Sequence, residues 1–143
     1  RGTARSSLSR ITYTVEQMAD DALQLIEGLG YDKVNWCGHS TGGAMGQVLA
    51  IEHPERIERL VLSATWAKTD AFFRRLFEVR SLMLRELGPA AYLKSSALAL
   101  NSPAWVRDHD ADLGAAEAKA LQTIPVPEIV LSRIAAIVAH DRR

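Results

Sequence analysis

Residues 33–46 read KVNWCGHSTGGAMG, and this stretch decides the fold. Its first part, residues 33–37, is short, mostly apolar and bounded by turn-forming residues, which is typical of a buried strand. Residues 41–52 are small or apolar with side chains at helical spacing, which predicts a helix that ends before Pro54. Between the two, residues 38–42 have the pattern Gly-x-Ser-x-Gly. The stretch therefore predicts a strand, a sharp turn and a helix.

The elements on either side extend this unit. Residues 13–29 carry apolar side chains three and four positions apart behind a capping box of Thr14 and Gln17, which predicts a helix. Residues 57–64 form a second short apolar run, which predicts a second buried strand. A strand, a crossover helix and a strand of this length are the unit of a parallel sheet. The sequence therefore predicts an α/β fold with two parallel strands and flanking helices.

Only helices are expected after residue 66. Five helical patterns are separated by breaks rich in proline, glycine and asparagine, and they span residues 70–87, 90–100, 103–108, 115–124 and 128–140. The acidic run at residues 108–112 is interpreted as a solvated polar turn between two of them. We therefore expect residues 1–65 to belong to an α/β core that contains the sharp turn, and residues 66–143 to form an all-helical cap.

The composition excludes several classes of protein. The 143 residues carry 17 basic and 17 acidic side chains without a long run of one sign, so neither nucleic acid nor an anionic membrane is an expected partner. No apolar stretch approaches the roughly 18 residues that span a bilayer. A single cysteine, Cys37, excludes an internal disulfide, and no structural zinc site is expected. We expect a cytoplasmic protein without metal or cofactor, whose oligomeric state the sequence leaves open.

The first residues have the composition of a loop. The chain starts with Arg1 rather than methionine, and residues rich in glycine, serine and arginine follow. A parallel sheet of two strands leaves apolar faces and edges without partners. We therefore expect this chain to be part of a longer protein, and residues 1–143 alone to be inactive.

Ser40 is the candidate nucleophile. In a Gly-x-Ser-x-Gly pattern between a strand and a helix, the serine lies on a strained turn that holds its hydroxyl clear of the sheet. Gly38 and Gly42 are interpreted as leaving space for the strand and the helix to approach. The helix N-terminus directs free N–H groups at a developing oxyanion, and the backbone of Thr41 would supply the first donor. We expect an unusual backbone conformation at Ser40, such as a positive φ; the alternative is that Ser40 only caps a helix.

The motif and its flanks resemble the α/β-hydrolase fold over the whole chain. Residues 1–6, RGTARS, are similar to the family's loop after its fourth strand, although Ala4 stands where glycine is usual. Residues 50–62 are similar to the family pattern A-x-x-H-P-E-R-V-x-x-L-V-L. Residues 65–66 and 72–80 more narrowly resemble the start of the helical cap in aminoacrylate hydrolases of pyrimidine degradation, with enol-lactonases and small esterases as near relatives.

The resemblance implies a serine hydrolase that acts on a small acyl substrate through an acyl-enzyme. The family also uses an acid and a histidine that follow the serine along the chain. His39 and His53 are interpreted as structural, no strand precedes His109 or His140, and Asp70 is better explained as a helix cap than as the acid. We expect both partners, and the second oxyanion donor, to lie outside this chain.

Other functions stay open at this point. An enol-lactonase or a carboxylesterase would share the same fold and nucleophile. A non-catalytic member of the fold could bind a ligand or a protein under its cap, because a fold does not settle function. In a third alternative, the pocket would only position water and Ser40 would not react.

Arg80 is the candidate for substrate recognition. It falls in the middle of the apolar arc of the first cap helix. The arc comprises Phe72, Phe73, Leu76, Phe77, Val79, Met83, Leu84 and Leu87, and the polar side opposite it carries Arg74, Glu78, Ser81 and Arg85. A buried guanidinium needs a partner. The sequence leaves open an ion pair with a core carboxylate, a stem that extends past its neighbours to water, or a grip on a substrate carboxylate. In the third case Trp66, at the exit of the second strand, would form an apolar wall of the same pocket.

Overall fold

The computed structural model describes residues 1–3 and 5–143; Ala4, where the resemblance would place glycine, lies outside the described residues. Within them, two strands and seven α-helices follow in the order α1 Val15–Gly28, β1 Val34–His39, α2 Thr41–Glu52, β2 Ile57–Ser63, α3 Ala71–Leu82, α4 Gly88–Leu100, α5 Pro103–Asp108, α6 Asp110–Leu121 and α7 Pro127–Ala139. A 3₁₀ turn at Pro54–Arg56 precedes β2, and a π-helical turn at Met83–Leu87 joins α3 to α4. The predicted order of elements is confirmed.

The two strands pair in parallel, as predicted, with Trp36 opposite Leu60 and His39 opposite Ser63. Helix α2 is the crossover between them. Parallel sheets are usually covered on both faces. In this sheet most side chains of β2 are exposed, and Val61, for example, is 56% exposed. The sheet therefore carries apolar side chains that the described residues leave in contact with water.

Local capping explains the ends of α1. The hydroxyl of Thr14 accepts a hydrogen bond from the backbone N–H of Gln17 at 3.0 Å, as the capping box predicts. At the other end the N–H of Leu29 bonds to the carbonyl of Leu25, and Gly30 then adopts a φ of 76°, which favours glycine. The predicted boundaries of this helix are confirmed to within about two residues.

The described chain divides into two compact units. The strand unit comprises Thr12–Asp70 and Ala135–Arg143, and its buried apolar side chains include Val15, Met18, Ile26, Ala44, Val48 and Leu49. The helical unit comprises Arg1–Ile11 and Ala71–Ile134, and its buried side chains include Phe77, Leu84, Ile129, Val130 and Ile134. The division into a core of residues 1–65 and a cap of residues 66–143 stays a prediction about the domains of the protein.

The predicted polar turn at residues 108–112 is wrong. Helix α6 begins at Asp110 rather than near residue 115, and Asp110 and Asp112 lie in its first turn. Negative side chains are favoured there because the N-terminal end of a helix carries a partial positive charge. Only His109 separates α5 from α6.

The predicted apolar arc around Arg80 is partly wrong. Phe72 is 73% exposed, whereas Ser81, expected on the polar side, is buried and donates to the carbonyl of Phe77 at 2.7 Å. A serine can be buried in this way because its hydroxyl bonds to a carbonyl one turn earlier in its own helix. The π-helical turn at Met83–Leu87 also breaks the constant angular spacing on which the arc was calculated.

Candidate active site

Ser40 occupies the turn between β1 and α2 with φ 52° and ψ −123°. Among the described residues only Ala64 is another non-glycine residue with positive φ. The predicted unusual conformation is confirmed. Residues with a side chain rarely adopt these backbone angles. The conformation costs about 1–3 kcal/mol and persists only where the surrounding structure enforces it.

Backbone hydrogen bonds enforce this conformation of Ser40. Its N–H donates to the carbonyl of Ser63 in β2 at 3.0 Å. Its carbonyl accepts from the N–H groups of Gly43 at 2.9 Å and Ala44 at 3.2 Å, and from the hydroxyl of Thr65 at 2.8 Å. The turn is therefore tied to the neighbouring strand, to the first turn of α2 and to the segment that follows β2.

Gly38 is required by a close backbone approach. A Cβ atom at this position would lie 2.3 Å from the carbonyl oxygen of Gly42, so the predicted role of Gly38 is confirmed. The same role predicted for Gly42 is wrong, because a Cβ there would meet no described atom within 4 Å. Gly38 approaches the carbonyl group of Gly42 rather than its Cα atom. The same carbonyl accepts a hydrogen bond from the indole N–H of Trp36 at 2.9 Å.

Two further glycines of α2 allow the helix to lie close to its neighbours. A Cβ at Gly43 would lie 2.6 Å from the Cβ of Thr65. A Cβ at Gly46 would lie 2.6 Å from the indole ring of Trp36. Both positions lie on the side of α2 that packs against the strands and the segment after them.

The hydroxyl of Ser40 is available for chemistry. Ser40 is half-buried, its side chain caps no helix, and its Oγ atom is not hydrogen-bonded to any residue in the described part of the chain. Helix α2 begins at the next residue, so the N–H groups of Thr41 and Gly42 have no carbonyl partner within the helix. These groups are suited to stabilise negative charge that develops beside the hydroxyl.

Three of the four histidines contact groups other than Ser40. His39 is exposed at the end of β1, with its Nδ1 atom 3.3 Å from the hydroxyl of Ser63, rather than directed into the sheet. His53 ends α2, and His109 stacks on the ring of Trp105 with a centroid distance of 4.3 Å. Within residues 1–3 and 5–143, none of them is hydrogen-bonded to the candidate nucleophile.

His140 is a buried histidine that the sequence pattern did not identify. It directly follows α7 and is 3% exposed, with its Nε2 atom 3.3 Å from the side-chain oxygen of Gln47. Its ring meets the ring of Trp66 edge to face, with centroids 6.0 Å apart. The side chain of Gln47 in turn donates to the carbonyl of Trp66 at 3.0 Å. No signal in the sequence predicted this group, because its members lie far apart along the chain.

We expect the stability of the protein to decrease as the pH falls below about 6.5, the usual pKa of histidine. Burial lowers the pKa of His140 in the folded protein, although Glu16 and Asp141 raise it and Arg142 lowers it further. The unfolded chain therefore binds the proton more readily than the folded protein. The contribution of neutral His140 to the free energy of unfolding is complete above pH 6.5 and is lost as the pH falls through the pKa of the folded state.

Urea unfolding at pH 7.5 and 5.5 measures this loss. The lower limit of pH 5.5 avoids the titration of Glu16 and Asp141, whose pKa values lie below their usual range. His140→Gln, which cannot titrate, should reduce the difference in unfolding free energy between the two pH values. His109→Gln is the control and should leave the difference unchanged; an equal change in both variants would contradict the assignment.

Arg80 is held by aromatic and hydroxyl groups of the helical unit. Its Nη2 atom donates to the hydroxyls of Tyr92 at 3.1 Å and Ser96 at 2.8 Å. The guanidinium carbon lies 4.8 Å from the ring centroid of Phe77 and 5.1 Å from that of Tyr92. No carboxylate in the described residues forms an ion pair with Arg80, and its buried Nε atom has no acceptor there. The expected alternative of an ion pair between Arg80 and a core carboxylate is therefore not found among these residues.

Three further observations concern the described residues. Cys37 is exposed on β1. Over the described ranges, no three histidine, cysteine, aspartate or glutamate side chains come together as a metal site requires. Among those same residues, no helix combines the length and the apolar character that crossing a membrane demands.

A serine with positive φ between a parallel strand and a helix has the backbone geometry of the elbow turn found in α/β hydrolases. Comparison with known families agrees with this class. The profile described as alpha/beta hydrolase fold matches residues 1–87, and the chain belongs to this family.

Similar proteins carry names that describe hydrolysis. RutD proteins, named for carbamate hydrolysis, from Caulobacter vibrioides (strain NA1000 / CB15N) and Agrobacterium fabrum are 36% and 35% identical to this chain over 142 residues. Each alignment covers 99% of this chain, and 53% and 54% of the respective relative. The chain thus spans about half the length of the curated relatives it matches.

Solved structures show the same fold. The enol-lactonase from Burkholderia xenovorans LB400 is 28% identical, with a TM-score of 0.83 over 99% of this chain and 53% of that one. A thermophilic esterase from Thermogutta terrifontis, solved with malate bound, is 24% identical with a TM-score of 0.77 over 99% of this chain and 52% of its own. The second likeness is one of fold alone.

Proposed function

We propose that this chain carries the nucleophile of a serine hydrolase that acts on a small acyl substrate. The observation that supports the proposal is the positive φ of Ser40 at the junction of β1 and α2. Backbone strain of this kind clusters at functional sites. The hydroxyl of Ser40 has no hydrogen-bond partner among the described residues, which suits a group that awaits a base and a substrate.

The proposed reaction follows from these positions. The Oγ atom of Ser40 bonds to the acyl carbon of the substrate, and its proton passes to a histidine other than those described. The negative charge on the acyl oxygen is stabilised by the N–H of Thr41. The bond from the acyl carbon to the leaving group then breaks, and the leaving group takes the proton. Water attacks the acyl-enzyme, releases the acid and returns the proton to Ser40.

A fluorophosphonate probe tests the nucleophile directly. In the full-length protein the probe should attach to Ser40, as shown by peptide mass spectrometry, because only an activated serine reacts readily with it. Absence of labelling in a folded sample would contradict the proposal. That result would favour the alternative of a non-catalytic member of the family that binds a ligand or a protein.

For the substrate we propose a small acid of the aminoacrylate or carbamate type, as in pyrimidine degradation. The names of the RutD relatives support this class. So does Arg80, whose positive charge has no carboxylate partner among the described residues. In this proposal Arg80 binds the carboxylate and Trp66 provides an apolar wall.

Substitution of Arg80 is expected to separate acidic substrates from neutral ones. Arg80→Ala and Arg80→Lys should raise KM for carboxylate-bearing substrates by about 10- to 100-fold, which corresponds to the loss of a charge-assisted hydrogen bond. Neutral esters of similar size should be affected by no more than about twofold. The exposed Arg75→Ala variant of the same helix is the control. Equal losses on both substrate types would return Arg80 to a structural role.

A lactonase or esterase activity is the second candidate. The likeness to the enol-lactonase, at 28% identity and a TM-score of 0.83, is the observation that favours it. Both activities would start with attack by Ser40, but at different carbons: a lactone or ester is attacked at its acyl carbon and leaves an acyl-enzyme, whereas an enamine acid is attacked at the carbon that bears its nitrogen and loses ammonia from that adduct. Turnover of a panel that pairs lactones and neutral esters with carbamates and enamine acids would distinguish them.

A further inference from the structure

Gln47 lies on α2, about two turns after Ser40, and connects two other segments of the strand unit. Its side-chain nitrogen donates to the carbonyl of Trp66 at 3.0 Å. Its side-chain oxygen lies 3.3 Å from the Nε2 atom of His140. Because this oxygen can only accept, Nε2 is the donor and the neutral ring carries its proton there. Both ends of the amide are therefore in use.

His140 has one polar function in this arrangement. It is 3% exposed, and its second ring nitrogen is buried without a hydrogen-bond partner among the described residues. Its polar contact with Gln47 holds the amide in the orientation that directs the nitrogen toward Trp66. Without that contact the amide could rotate and lose its bond to the backbone.

The backbone that Gln47 holds is the one that supports the elbow. Thr65 directly precedes Trp66, and its hydroxyl donates to the carbonyl of Ser40 at 2.8 Å. Its side chain also lies so close to α2 that a Cβ at Gly43 would be 2.6 Å from the Cβ of Thr65. A shift of the segment at Trp66 would therefore move a group that bonds to the backbone of the nucleophile.

The next three residues are held by the segment that contains His140. Residues 67–69 bond to residues 138–142 through the carbonyl of Ala67 with the N–H of Arg142 at 2.8 Å, the ion pair of Lys68 with Asp141 at 2.7 Å, and the hydroxyl of Thr69 with the carbonyl of Val138 at 3.0 Å. Arg142 also pairs with Glu16 of α1 and Glu52 of α2. The segment is thus anchored to the same unit as the elbow.

We propose that Gln47 and His140 are positioning residues for Ser40, acting through the backbone of Trp66 and the hydroxyl of Thr65. Neither residue bonds to Ser40 itself in the structure. Their effect on catalysis rests on the proposed function of Ser40, whereas their effect on the geometry of the turn does not. Loss of the His140 bond is expected to loosen the turn and slow the reaction of Ser40 without weakening substrate binding.

Two substitutions at His140 in the full-length protein test the proposal. His140→Leu fills a similar volume without a donor, whereas His140→Gln returns an N–H group near the position of Nε2. His140→Leu should lower kcat and the rate of fluorophosphonate labelling by about tenfold, with KM changed less than twofold. His140→Gln should recover at least half of both rates. His109→Leu, at a histidine of the helical unit, is the control and should match the unsubstituted protein.

Hydrogen exchange provides a readout that does not depend on activity. In His140→Leu, amide exchange should accelerate by about tenfold in peptides covering residues 38–44 and 64–67, and stay unchanged in α1. If His140→Leu does not fold, Gln47→Leu and Thr65→Val, which remove successive members of the same connection, should show the same exchange pattern and the same loss of kcat.

Each outcome decides one of the two claims. Faster exchange at the elbow with no labelling in any form of the protein would overturn the proposed function and keep the positioning role. Labelling of Ser40 with equal rates and equal exchange in His140→Leu would overturn the positioning role and keep the proposed function. A rise in KM with kcat unchanged, or no recovery in His140→Gln, would also overturn the positioning role.

Discussion

Ser40→Ala is expected to abolish turnover in the full-length protein, with kcat lowered by about 10⁴-fold or more. In the proposed reaction, the substitution removes the one oxygen that forms the bond to the acyl carbon. What remains is the contribution of substrate binding and the oxyanion donors, such as the N–H of Thr41. Because the hydroxyl has no hydrogen-bond partner among the described residues, its loss should leave the unfolding free energy nearly unchanged. Steady-state kinetics and urea unfolding together measure this separation.

Ser95→Ala is the matched control for this experiment. The hydroxyl of Ser95 donates to the carbonyl of Tyr92 within α4 and has no role in the proposed reaction. Activity in this variant should stay within about twofold of the unsubstituted protein. Turnover that survives Ser40→Ala would show that the pocket only positions water, and Ser40 would then not be a nucleophile.

Gly38→Ala is expected to have the second largest effect, because the added methyl group overlaps backbone atoms. It would lie 2.3 Å from the carbonyl oxygen of Gly42 and 2.6 Å from the nitrogen of Gly43. Backbone atoms cannot rotate away as the end of a flexible side chain can, so β1 and α2 must separate. We expect a loss of about 3 kcal/mol in unfolding free energy, and labelling of Ser40 slower by about 100-fold.

Gly42→Ala makes the same chemical change four residues away. A Cβ there meets no described atom within 4 Å, and Gly42 lies in the first turn of α2. Alanine is favoured over glycine in a helix. The unfolding free energy of the Gly42→Ala variant should therefore equal that of the unsubstituted protein or exceed it by about 0.5 kcal/mol. The measurement is urea unfolding of both variants at pH 7.5. Equal destabilisation in the two would mean that the close approach at Gly38 is not what constrains the elbow.

Much of the fold could be predicted because its signals are local. The short apolar runs at β1 and β2, the capping hydroxyl of Thr14 and the glycine-rich turn around Ser40 all act within a few residues along the chain. Each therefore leaves a mark in the sequence that spacing and residue type reveal. The conformation of Ser40 was predictable for the same reason, since it belongs to one tight turn.

The failures lie where the answer depends on distant neighbours or on a local irregularity. Ser81 is buried by neighbouring elements with its hydroxyl bonded to the carbonyl of Phe77, and the π-helical turn at Met83–Leu87 shifts the faces on which its own residues lie. The space at Gly42 depends on which backbone atoms approach it. None of these could be calculated from a regular helix, because a constant angle per residue assumes that every turn is alike.

The sequence by itself determined the order of the elements, the parallel pair of strands and the identity of the elbow serine, because periodicity and turn chemistry act over short distances. Only the tertiary structure decided which groups hold the backbone around that serine. Gln47, Thr65 and His140 are separated by up to 93 residues along the chain, and their hydrogen bonds exist only once the segment after β2 lies between α2 and the C-terminal residues. A contact between distant residues leaves no period in a single sequence, so its partners are known only when the chain has folded.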